Sequence, residues 1–125
     1  MPELFGGLDV STQSCKLVVI DSHSQQVVFT GVVNYDIDLP RYDTRNGVIP
    51  GLGEGVSESD PEMWIEALHR IFEKLSAFSG SLIKNIRCLS VSGQQHGLVA
   101  LDGEGNLARP RSKLWNDFST QEECD

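Results

Sequence analysis

Asp9 closes an apolar run, Leu4 to Val10, and is followed directly by Ser11-Thr12-Gln13-Ser14. A carboxylate at a strand end beside hydroxyls and turn N–H groups can hold a metal ion and phosphate oxygens together. The same residues equally suit an aspartate that caps its own turn. Lys16 interrupts the next apolar run, either facing a phosphate or pairing with a nearby carboxylate, or snorkelling into solvent from a strand edge. Gln94-Gln95-His96, set between Gly93 and Gly97, is a row of polar side chains too costly to bury together, at a strand end where ligand sites form. His23 falls in a turn and His69 on the polar side of a helix, so both are expected in solvent. Trp115-Asn116-Asp117 pairs a flat apolar ring with an amide and a carboxylate, a set suited to stacking on a sugar and bonding its hydroxyls. Trp115 can also be core, as the helical spacing of Trp64 makes Trp64. No His-x-x-x-His or paired Cys/His spacing points to zinc.

The elements that must position these groups are legible in part. Leu4 to Val10, Cys15 to Ile20 and Gln26 to Tyr35 read as three strands joined by short polar turns, an antiparallel meander. The second is more apolar than alternating, which predicts burial on both faces. Residues 36–59, with Gly47, Gly51, Gly53, Gly55, Pro40 and Pro50, form the least periodic stretch and read as a long loop. Asp60-Pro61-Glu62 then starts a helix: a cap, a proline suited to the first position, and an acid near the positive end. Trp64, Leu68, Ile71, Phe72 and Leu75 give its apolar stripe, and Gly80 supplies a stop. Ile86 to Val91 is a fourth strand. Asp102 to Asn106 is the turn of a further hairpin, and Ser119 to Glu123 opens a second helix that the chain does not complete. One full helix covers one sheet face only, so the other face is expected to lack cover.

The chain has 125 residues, enough for one domain, with 18 acidic against 10 basic side chains and a net charge of −8. That balance argues against nucleic acid and anionic membrane partners, the longest basic cluster being Arg109 to Lys113. Cys15, Cys88 and Cys124 form neither a zinc pattern nor a disulfide framework, and no leader or membrane-length apolar run is present, so a cytoplasmic location is expected.

Gly7-Leu8-Asp9-Val10-Ser11-Thr12-Gln13-Ser14-Cys15-Lys16, Ser92-Gly93-Gln94-Gln95-His96-Gly97 and Leu114-Trp115-Asn116-Asp117 with Glu122-Glu123-Cys124 together resemble the amino-terminal part of the FGGY family of carbohydrate kinases. The resemblance runs in order from Leu4 to the last residue, and Asp38-Leu39-Pro40 to Gly47-Val48 resembles a longer loop of its eukaryotic-type members. It implies an α/β fold, a ribonuclease H-like (actin/hexokinase-type) lobe whose mixed sheet begins with an antiparallel meander and is incomplete here. It implies transfer of the ATP γ-phosphoryl group, with Mg²⁺, to a ketopentose such as D-xylulose. Carried over, Asp9 is the metal- and phosphate-associated acid, Thr12 and Gln13 the phosphate-facing turn, and Gln95 and His96 the sugar-contacting pair. Trp115, Asn116 and Asp117 fall near the sugar. Ser11 and Gln13 stand where the family turn usually has Gly and another small residue, and Gln95 replaces a common Met.

In that family the general base and the nucleotide lobe lie further along the chain, so residues 1–125 correspond to part of the sugar-binding domain, with no catalytic residue and no expected activity of their own. Two other classes remain open. A ribonuclease H-like nuclease needs more carboxylates around two metals, and a binding module would keep only a sugar site or an interaction surface. The uncovered sheet face is expected to bring copies of the chain together. Asp9, His96 and Trp115 should meet at one rim of the sheet.

Overall fold

The computed structural model describes residues 3–125. Three strands open it, β1 (Leu4–Val10), β2 (Ser14–Asp21) and β3 (Gln26–Asn34), each antiparallel to the one before. Asn34 then ends the third strand one residue before the sequence predicts, because its side chain accepts from the Ile37 N–H and caps a one-turn helix, α1 (Tyr35–Asp38). The stretch 36–59 is therefore not loop throughout. A 3₁₀ turn at Pro40–Tyr42 and a two-residue strand, β4 (Glu58–Ser59), lie within it. The turn is closed by local backbone bonds and β4 by pairing with a distant strand, and neither leaves a periodic signal.

Helix α2 (Pro61–Phe78) starts as its sequence requires, with Asp60 accepting from the Glu62 N–H at 2.9 Å and Pro61 in the first turn. Its most buried line is Met63, Ala67, Ile71 and Leu75, with Trp64, Leu68 and Phe72 half-buried beside it. The stripe is thus centred one residue from the expected one, and Trp64 flanks the core. Gly80 is not the stop. Extended Ser79 ends the helix, and Gly80 opens a short helix, α3 (Gly80–Asn85), leading into β5 (Ile86–Gly93).

β5 runs parallel to β1, giving the sheet order β3-β2-β1-β5. A second small sheet pairs β4 with β6 (Ser112–Lys113). The expected hairpin around residues 102–106 is reduced to a tight turn and one bridge, Leu101 to Leu107, since Leu98 leaves to pair with Lys113. The final helix, α4, spans only Gln121–Cys124.

The core lies on one side of the large sheet. Leu4, Leu8, Cys15, Leu17, Val19 and Val33 pack there against Met63, Ala67, Ile71 and Leu75 of α2, and truncating one such aliphatic side chain typically costs about 2–5 kcal/mol. The expectation that β2 is buried on both faces does not hold: Cys15, Leu17 and Val19 are buried while Lys16 and Ile20, on the opposite face, are exposed. The apolar character of that face is real, but among the described residues α2 is the one long helix and it covers the other side. Phe5, Ile20, Val27 and Val32 stand exposed there.

Candidate functional site at the ends of β1 and β5

Asp9 and Ser92 are register partners at the carboxyl ends of the parallel pair β1 and β5. The two ends approach closely because residue 93 is glycine: a Cβ there would stand 2.9 Å from the Val10 carbonyl oxygen. That carbonyl accepts from the Gln94 N–H at 3.1 Å. The chain then turns at His96, whose φ of 60° is left-handed, so the strained position is the histidine and not a flanking glycine. Asp9, Ser11, Thr12, Gln94, Gln95, His96 and Trp115 consequently line one hollow of about 360 Å³.

Trp115 reaches this rim from the far end of the chain. Its indole N–H donates to Thr12 Oγ1 at 3.2 Å, and Thr12 Oγ1 lies 3.4 Å from Gln94 Oε1. The ring is 54% exposed, so it is a wall and not core. The Thr12–Trp115 bond divides the first hollow from a second, of about 550 Å³, lined by Gln13, Arg45, Asn46, Ser57 and Asn116 as well as by the two dividing residues. The residues singled out from sequence are therefore split. Asp9, Gln95 and His96 face the first hollow, Gln13 and Asn116 the second, and Thr12 and Trp115 both.

Asp117 lines neither. Its side chain is 3% exposed, and its oxygens accept from the Ser57 N–H at 2.8 Å, from Ser119 Oγ at 2.6 Å and from the Ser119 N–H at 3.1 Å, with Lys113 Nζ at 3.4 Å. Burial alone would raise its pKa, but these donors prevail and hold it at about 2. Asp117 fastens the Trp115 segment to Ser57. Asn116 helps, accepting from Ser57 Oγ at 2.7 Å.

A second buried carboxylate, missed in the sequence, extends this clamp. Glu58, its side chain 4% exposed, accepts from Arg109 Nη2 at 2.7 Å and Arg111 Nε at 2.9 Å, with Lys113 at 3.6 Å. Arg109's bond, against burial and with help from Arg111, holds its carboxyl below the usual range. The basic cluster counted as a charged run is thus a strand-like face, Arg109-x-Arg111-x-Lys113, turned onto Glu58, with Lys113 shared between Glu58 and Asp117. That alternation was its only signal.

Asp9 is exposed and is the one carboxylate lining the first hollow. Among the described residues no three His, Cys, Asp or Glu side chains gather into a metal-holding group. A single carboxylate beside hydroxyl and amide groups still suits Mg²⁺, which takes one or two carboxylates and completes its shell with phosphate and water. Among the described residues no helix is long and apolar enough to cross a membrane.

The mixed sheet, with its antiparallel meander and the parallel β1–β5 pair, is the ribonuclease H-like lobe that solved sugar-kinase structures share. Residues 4–125 match the N-terminal domain of the FGGY family of carbohydrate kinases, and the chain belongs to that family. It is 40% identical to a xylulose kinase of Arthrobacter sp., over 91% of this chain and 94% of that protein. It is 36% identical to xylulose kinase 2 of Arabidopsis thaliana, over 97% of this chain but 25% of that protein. A xyloylose kinase from Brucella ovis superposes with a TM-score of 0.78 at 31% identity, over 97% of this chain and 22% of the other. The chain therefore spans about a quarter or less of two of these three relatives.

Proposed function

We propose that residues 1–125 form the sugar-side part of an ATP-dependent kinase acting on a ketopentose such as D-xylulose, whose nucleotide lobe and general base lie outside these residues. The convergence of Asp9, Thr12, Gln95, His96 and Trp115 on one hollow carries the reading. Relatives bearing the name xylulose kinase support the choice of sugar. In this reading Trp115 stacks on the sugar, while Gln95 and His96 bond its hydroxyls. Thr12 and Gln13 face phosphate oxygens, and Asn116 reaches ligand groups that enter the second hollow. Asp9 would hold Mg²⁺, which with ATP supplies charge neutralisation and the phosphoryl group. Asp117 orders this wall without touching the ligand.

Phosphoryl transfer requires donor, acceptor and base held in one closed site. The described residues supply the acceptor side. The 125-residue chain, given D-xylulose, ATP and Mg²⁺, should release no ADP above a no-protein control. A longer protein containing it should release ADP only with the sugar present. ADP release by the chain alone, or sugar-independent release by the longer protein, refutes the proposal. A nuclease reading is disfavoured, because Ser90 and Ser92 stand opposite Gly7 and Asp9 where further carboxylates would be needed. The exposed apolar face with Phe5, Ile20, Val27 and Val32 is read as the surface where copies of the isolated chain associate.

A further inference from the structure

Three successive carbonyl groups, those of Ser11, Thr12 and Gln13, are met by the segment 35–47. The Tyr35 hydroxyl donates to Ser11 O at 3.0 Å, and the Tyr35 backbone N–H donates to Gln13 O at 3.1 Å. Between them the Thr12 carbonyl lies against Gly47, where a Cβ would stand 1.8 Å from the oxygen and where φ is +77°. No other residue fits that position without moving the turn.

Gly47 is held in its turn by Asp36. One carboxylate oxygen accepts from the Gly47 N–H at 3.0 Å and from Thr44 Oγ1 at 2.7 Å, and the other from the Asn46 N–H at 2.6 Å. These bonds outweigh burial and hold the Asp36 carboxyl below its usual range. Tyr35 is fully buried, so its ring cannot swing away from Ser11. Among the described residues the N–H groups of Thr12 and Gln13 donate to no backbone or side-chain acceptor.

We infer that Tyr35, Asp36 and Gly47 are positioning residues for the turn 11–13: they hold its carbonyls from behind, fix Thr12 Oγ1 on the divide between the two hollows, and leave two N–H groups for an anion. The anion part rests on the reading of this turn as phosphate-facing; the holding part does not. A turn of polar residues between two strand ends would otherwise sample several conformations, and misplacement by about 1 Å can cost about 100-fold in a reaction. None of the three residues touches a reacting atom.

The test uses the ¹⁵N-labelled 125-residue chain and the variants Tyr35→Phe, Asp36→Asn and Gly47→Ala. Resonances of Leu17, Val19 and Ile71 report whether the core is intact. The Thr12 and Gln13 amides and the Trp115 indole N–H report the turn. With the core unchanged, each variant should shift these three signals and speed exchange of the Trp115 indole proton about 10-fold. If Gly47→Ala fails to fold, Tyr35→Phe decides, since it removes one oxygen. Folded Tyr35→Phe and Asp36→Asn proteins with all three signals at wild-type positions overturn the inference. Inorganic phosphate is then titrated: it should move the Thr12 and Gln13 amides in the wild type and require a several-fold higher concentration in the variants. Turn signals that respond to the substitutions but not to phosphate uphold the holding role and refute the anion role.

Discussion

Replacing Asp117 with asparagine should cost about 2 kcal/mol at neutral pH, and the cost should disappear in acid. The carboxylate accepts from Ser57 on one oxygen and from Ser119 on the other. Asparagine has one acceptor, so its NH₂ group must face an N–H or O–H donor whichever way it is turned. The magnitude follows from the titration: moving a carboxyl from 3.8 to about 2 favours the folded, charged form by roughly 2 kcal/mol, at about 1.36 kcal/mol per tenfold. Because the folded value is depressed, this contribution is complete above about pH 4 and is lost as pH falls through about 2. The assay is urea unfolding of wild type and Asp117→Asn, followed by tryptophan emission at pH 7 and at pH 2.5. With a slope of about 1–3 kcal/mol per molar urea, the midpoints should separate by about 0.7–2 M at pH 7 and draw together at pH 2.5. A separation at pH 7 worth less than about 0.5 kcal/mol, or one that persists undiminished in acid, refutes the reasoning.

Three further expectations are independent of this one. Cys15 is fully buried, and burial, then Asp9, pushes its thiol up, whereas Cys88 and Cys124 are exposed. An aromatic disulfide reagent at pH 8 should therefore titrate two thiols promptly and the third only in denaturant; prompt reaction of all three contradicts the fold. Trp115→Phe keeps a ring but removes the donor to Thr12, at a largely exposed position. Its melting temperature should stay within about 3 °C of wild type while the chain's affinity for D-xylulose, read by amide shifts, falls several-fold. An unchanged affinity would remove Trp115 from the proposed site. Light scattering at high micromolar concentration should give at least twice the chain mass, and Ile20→Lys with Val27→Lys should return it to the monomer. A wild-type monomer at every concentration would rule out association through that face.

The strands of the meander and the start of α2 were legible because their signals are local: apolar runs between polar turns, and a cap followed by proline. The meeting of Asp9, His96 and Trp115 in one hollow was anticipated through the family resemblance, since spacing alone gives no contact between residues so distant in sequence. What escaped the sequence is polar and long-range. Asp36 gathers Thr44, Asn46 and Gly47, and Glu58 gathers Arg109 and Arg111; neither acid differs in type or spacing from its solvated counterparts. The same limit separates Asp117 from Asn116, adjacent in the chain but differing in whether a hollow lies before the side chain. Burial of β2 was overestimated because composition records which surfaces are apolar and not which are covered.

The parallel pairing of β5 with β1 sets an order of assembly. Thr12 and Gln94 are 82 residues apart, whereas the meander pairs near neighbours and α2 packs back onto it. Closing so long a loop is entropically slow, so the meander and α2 should collapse first and β5 should join late. On a ribosome the first wall of the hollow would already be folded while Gln95, His96 and Trp115 were still being made. The first hollow is complete only once β5 has docked, so pulse-labelled hydrogen exchange during refolding should show Asp9, whose amide faces β2, and Leu17, whose amide faces β3, protected before Ser92, whose amide faces β1.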